Sequence, residues 1–96
     1  MNPTIILYLL KHANDFVHAK RPVDRREAKA LLLGNAEILY ALGWAMTPFA
    51  IEIAAIDAVR DDPFPAASPN NAARKAWSDE KFAVVAATLG IDCDAV

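Results

Sequence analysis

Three side chains able to move protons or hold a metal follow one another at three-residue steps: His12, Asp15 and His18. On a helix, neighbours at that spacing lie within reach, and a histidine beside a carboxylate suits acid–base chemistry or metal ligation. The same spacing argues against one shared site, because His12 and His18 point about 120° apart on an ideal helix. Both cannot ligate one ion without outside help, so polar-face histidines are the simpler reading and no metal is expected. The chain carries none of the common nucleophile or phosphate-binding signatures. There is no glycine-rich phosphate loop, no Gly-x-Ser-x-Gly elbow, and no pairing of the lone Cys93 with a histidine on plausible elements. The chain is expected to be no enzyme and to need no cofactor.

Charge is the next source of possible function. Residues 1–36 carry six Lys/Arg against three acids, residues 37–62 one Arg against five acids, and the remainder −1, for a net charge of −2. The stretch "AKRPVDRREAK" gathers Lys20, Arg21, Arg25, Arg26 and Lys29 around one turn, where they could meet phosphate or an acidic protein surface. Asp24 and Glu27 partly neutralise it, and without an aromatic partner it points only weakly to nucleic acid. Asp57, Asp61 and Asp62, with Glu52 one turn back, form an acidic helix end. Carboxylates there oppose the helix dipole, which hints at contact with a basic, nucleic-acid-binding surface.

The segment "ALGWAMTPFAIEIAAIDAVR" (41–60) has the outline of a helix-turn-helix, with Gly43 at the turn. Its second helix would present Glu52, Asp57 and Arg60 to the groove, whereas base reading wants Arg, Lys, Asn or Gln on the first turns. No specific DNA binding is expected, and a plain helical corner is the better reading.

These side chains need elements to position them. Twenty alanines and only three glycines predict an all-α fold, a compact bundle of four or five short helices in a single domain over residues 1–96. Helix 1 begins at "NP", Asn2 capping and Pro3 first inside, with a stripe of Ile6, Leu9, Leu10, Ala13, Phe16 and Val17. Pro22 pushes Arg21 out of the α region and ends it. Helix 2, about 24–42, opens with Asp24 as cap and Glu27 at the capping-box spacing, and Gly43 terminates it. Its apolar residues fill two faces: Ala28, Leu32, Asn35, Leu39 and Leu42 on one, Leu33, Ala36 and Tyr40 on the other. Such a helix is central in its bundle or also packs on another chain.

Helix 3 opens with Thr47 and Pro48. It too is apolar on two sides, with Phe49, Ile53 and Ile56 against Ile51, Ala55, Ala58 and Val59. A proline-rich loop over 61–71 follows. Two helices are expected beyond it, one capped by Ser68 and one restarting at Ser78, although a single kinked helix also fits; Gly90 stops the last and 91–96 is a frayed tail. Asn35 intrudes on the apolar face of helix 2, where it either bonds a neighbouring carbonyl or fixes an oligomer. Trp44 and Trp77 are read as core edges.

The apolar run Ile5 to Leu10 lacks a basic flank and a cleavage site, so it reads as neither signal peptide nor membrane span. A single cysteine suits a reducing, cytoplasmic setting. The expected function is a small protein–protein interaction module, an adaptor or inhibitor of another macromolecular machine. Arg21, Arg25, Arg26, Lys29, Glu52, Asp57, Asp61 and Asp62 are the candidate partner contacts. The alternative is a nucleic-acid-binding regulator using the basic turn 20–29. Leu33, Tyr40 and Ile51 are candidates for self-association as a homodimer. In size, alanine content and lack of catalytic equipment the chain resembles small bacterial or phage-encoded regulators, anti-CRISPR inhibitors among them. That resemblance carries no motif and adds only a little to the expected role, without naming a partner.

Overall fold

The computed structural model describes residues 3–65 and 70–91. Among them stand four α-helices and no strand: α1 (Pro3–His18), α2 (Pro22–Ala41), α3 (Pro48–Val59) and α4 (Asn71–Leu89). The all-α bundle expected from composition is what forms.

Proline marks the first residue of α1, α2 and α3, where its missing N–H has no intrahelical acceptor to lose and its φ is already helical. For α2 this corrects the expected start. Arg21 is extended (φ −111°, ψ 143°) as Pro22 requires, but Pro22 itself opens the helix and no capping box forms. Asp24, shifted into the first turn, instead accepts from Arg21 Nε at 2.8 Å and Nη2 at 3.0 Å. The expected cap at Asn2 lies outside the described residues.

The ends of α2 and the start of α3 follow their local chemistry. Gly43 takes φ 88°, its N–H bonds Tyr40 O at 2.9 Å and Trp44 N–H bonds Leu39 O at 3.1 Å, a left-handed stop that occupies otherwise orphaned carbonyls. Thr47 Oγ1 accepts from Ala50 N–H at 3.2 Å and caps α3. Gly90, at φ 72°, ends α4 in the same way as Gly43 ends α2.

One helix, not two, fills 71–89. The restart expected at Ser78 does not occur: Ser78 is buried within α4, and Asn70 is the cap, accepting from Ala72 N–H at 2.9 Å. The Lys75–Asp79 pair at 2.8 Å spans the expected break, and alanines on both sides favour continuation. The cap proposed at Ser68 lies outside the described residues.

The core takes Leu9, Leu10 and Ala13 from α1, Leu32, Ala36 and Leu39 from α2, Ile51, Ala54, Ala55 and Val59 from α3, and Val85 from α4. Its buried alanines leave room for close helix approach. Trp44 and Trp77 are both buried within it. α1 and α3 each pack on all three other helices, while α2 lies mainly against those two. The central place expected for α2 therefore belongs to α1 and α3. The reason is which residues turn inward. Ala28, Leu32, Ala36 and Leu39 form the buried face of α2, whereas Leu31, Ile38, Tyr40 and Leu42 remain in water. In α3 the Ile51 stripe is buried and Phe49 and Ile53 face out.

Candidate functional site

The link between α1 and α2 is only residues 19–21, so α2 folds straight back along α1. This reversal brings Phe16, near the end of α1, against the first turns of α2. Together they shape a groove of about 460 Å³ with Phe16, Pro22, Ala30 and Leu33 as its apolar lining and Arg25, Arg26 and Lys29 as its basic residues. The guanidinium of Arg25 sits 4.9 Å from the centre of the Phe16 ring, and Lys29 Nζ sits 5.7 Å from it. The aromatic partner that the basic turn lacks in sequence is thus supplied across the fold by Phe16.

The five cations of that turn do not act as one patch. Arg21 is committed to Asp24. Lys20 and Arg21 line a separate cleft on the other flank of the hairpin. Lys29 Nζ lies 2.9 Å from Glu52 Oε1. Among the described residues, Arg25 and Arg26 have no carboxylate partner. They are the free positive charge of the groove.

The acidic set divides likewise. Glu52, expected on a partner-facing surface, is buried between helices and paired with Lys29, because the stripe of α3 that turns inward carries it along. Asp62 is a structural residue. Its carboxylate lies 2.7 Å from Lys81 Nζ, and its backbone oxygen accepts from Trp77 Nε1 at 2.9 Å. The bond to Asp62 holds the buried Lys81 ammonium above its ordinary pKa. Asp57 pairs with Arg60 at 3.4 Å, and Asp61 is exposed.

Of the residues expected to mediate self-association, Ile51 is wholly buried in the core, which removes it from any surface. Leu33 belongs to the groove, and Tyr40 is exposed. Asn35 takes the local option, its Nδ2 donating to Leu31 O at 3.0 Å.

His12, Asp15 and His18 line the second cleft, together with Asp24 and Glu27. His12 is stacked on Tyr8 with ring centres 5.9 Å apart, and Asp15 turns to Lys11 at 3.6 Å. Burial lowers the pKa of His12, while the charge of Asp15 pulls against that shift. Among the described residues no group of three His, Cys, Asp or Glu side chains is placed to hold a metal ion. Cys93 lies outside them. No described helix is long and apolar enough to cross a membrane.

No family model, curated protein or solved structure matches the chain. The residues that sequence reasoning missed are Phe16 and Pro22. Phe16 reads as the end of a core stripe and Pro22 as a helix breaker. The signal was their separation: an aromatic in the last turn of one helix, then a proline that fixes where the next begins.

Proposed function

We propose that the chain is a non-enzymatic protein-interaction module, an adaptor or inhibitor, whose groove between Phe16 and Leu33 takes an acidic segment of another protein. The observation that carries this reading is the pairing of an apolar lining with two arginines that have no carboxylate partner of their own among the described residues. Arg25, held over Phe16, offers a preoriented planar fork for a carboxylate. A partner's aliphatic or aromatic side chain buried on Phe16 and Leu33 would contribute roughly 1.5–3 kcal/mol. The arginines would add specificity and speed of encounter.

Nucleic acid is the weaker occupant of the basic turn. Two of its five cations are already matched by Asp24 and Glu52, and Glu27 adds negative charge to the same turn.

Selection of a random peptide display library tests the proposal, with the Arg25→Glu/Arg26→Glu protein as counter-selection. Selected peptides should interleave Asp or Glu with large apolar residues. They should shift the amide resonances of Phe16, Arg25 and Leu33, and they should bind the reversed protein at least about tenfold more weakly at low salt, a loss near 1.4 kcal/mol. Peptides without acidic residues, or shifts confined to another face, would overturn it. So would binding of single- or double-stranded oligonucleotides at these resonances with no peptide selected.

A further inference from the structure

Between Ile38 and Ile56 the chain has one charged side chain, Glu52, and that carboxylate is buried against Lys29. The outer surface of the α2–α3 corner is therefore free of charge while carrying large apolar groups. Met46 is 90% exposed, Phe49 64%, Ile53 59% and Leu42 60%. Phe49 and Ile53 stand one helical turn apart on the same side of α3, and Met46 lies in the turn just before the Thr47 cap. Large apolar side chains present roughly 200 Å² each, so at these exposures Met46, Phe49 and Ile53 alone leave about 430 Å² uncovered. A patch of that size is often functional, and two such strips face to face hide about 850 Å², which the exposed Thr47 and Asp57 beside them carry toward the roughly 1,000 Å² of a specific interface.

We propose that two copies of this chain pair through α3, the helices crossing antiparallel about a two-fold axis near residue 51. Phe49 of each copy then packs on Ile53 of the other, and Met46 on the part of Ile56 that its own core leaves uncovered. A two-fold axis sets every group near it opposite its own counterpart, so a charge there meets a like charge. From Met46 to Ile56 this surface exposes none.

The antiparallel arrangement also gives Asp57, which pairs with Arg60 of its own chain at 3.4 Å, a second favourable setting. In its own helix the carboxylate stands in the last turn of α3, the end where the dipole disfavours it. Across the two-fold axis it comes beside the N-terminal turn of the second copy's α3, where unpaired N–H groups favour negative charge. An anionic lipid surface would instead be repelled by Asp57 and Asp61.

Sedimentation velocity from low to high micromolar concentration is the test. The wild-type mass should rise with concentration from 10.4 kDa toward twice that value. Phe49→Asp/Ile53→Asp should remain a monomer throughout, with wild-type helix content. Should that protein fail to fold, Met46→Glu supplies the same reading from a side chain almost wholly in water. Asp57→Lys should weaken the pairing by placing a cation at the second copy's helix N-terminus. A wild type that stays monomeric at every concentration overturns the proposal, as does a dimer that all three variants leave intact. Monomer that co-sediments with neutral phosphatidylcholine vesicles also overturns it, by assigning the face to a membrane.

Discussion

Lys29 of α2 and Glu52 of α3 meet across the helix interface, Nζ to Oε1 at 2.9 Å, with the Glu52 side chain only 1% exposed. The contact is an ion pair without hydrogen-bond alignment, and neither carboxylate oxygen has an aligned donor among the described residues. A buried charge in that condition depends heavily on its one counter-ion.

Replacing Lys29 by Met should therefore destabilise the fold by about 1–3 kcal/mol, less than for a fully buried pair because Lys29 is partly in water. The double replacement Lys29→Met/Glu52→Leu should recover most of that loss, since no unpaired charge remains. Urea unfolding of the wild type, both single variants and the double variant measures the coupling. A double variant no more stable than Lys29→Met would show that the two side chains are not coupled.

His12 gives the fold a mild acid sensitivity. Burial holds its pKa below the ordinary 6.5, so the unfolded chain binds the proton first as pH falls. Its contribution is complete above 6.5 and is lost as pH drops toward the lowered folded value. A His12→Gln protein should lose less stability than the wild type on acidification through this window. The imidazole titration followed by NMR should have its midpoint below 6.5; a midpoint at or above it would contradict the assignment.

Lys81 behaves in the opposite sense. Its bond to Asp62 raises its pKa above the ordinary 10.5, so the folded state keeps the proton that the unfolded chain releases. The stabilisation is complete below 10.5 and disappears as pH climbs through the raised value. Melting temperature against alkaline pH should fall more steeply for wild type than for Asp62→Asn. Parallel curves would mean that the pair adds nothing.

The two tryptophans should respond differently to the same change. Trp77 Nε1 donates to Asp62 O and its ring stands edge-on to Phe64, with centroids 5.2 Å apart. Trp44 packs on Phe82 at 5.3 Å, and its buried Nε1 has no acceptor among the described residues. Trp77→Phe should cost about 1 kcal/mol more than Trp44→Phe, because only the first gives up a hydrogen bond. Thermal or urea unfolding of the two variants decides it, and equal losses would refute the distinction.

Where local chemistry decides a feature, the sequence was sufficient to read it. Thr47 with Pro48 starts a helix and Gly43 and Gly90 stop helices, because a cap or a left-handed residue acts within a few positions of itself. Ser78 shows the limit: its cap chemistry competes with helix continuation, and an alanine-rich setting favoured the latter. The site was less legible. Two apolar stripes on α3 are equivalent in sequence, and only packing selects the one that buries Ile51 and draws Glu52 inward with it. Phe16 lies nine residues before Arg25, and nothing in that interval shows that the chain reversal will stack one on the other.

The three-residue link between α1 and α2 also sets the order in which the molecule can assemble. Closing so short a connection sacrifices little chain entropy, and these two helices share the most extensive contact in the bundle. Helical hairpins of this kind form on roughly the microsecond scale, long before contacts distant in sequence are made. Phe16, Arg25 and Lys29 all belong to that hairpin, so no side chain that lines the groove comes from α4. During synthesis the groove residues leave the ribosome ahead of α4, and the basic-aromatic cluster can form while that helix is still being made.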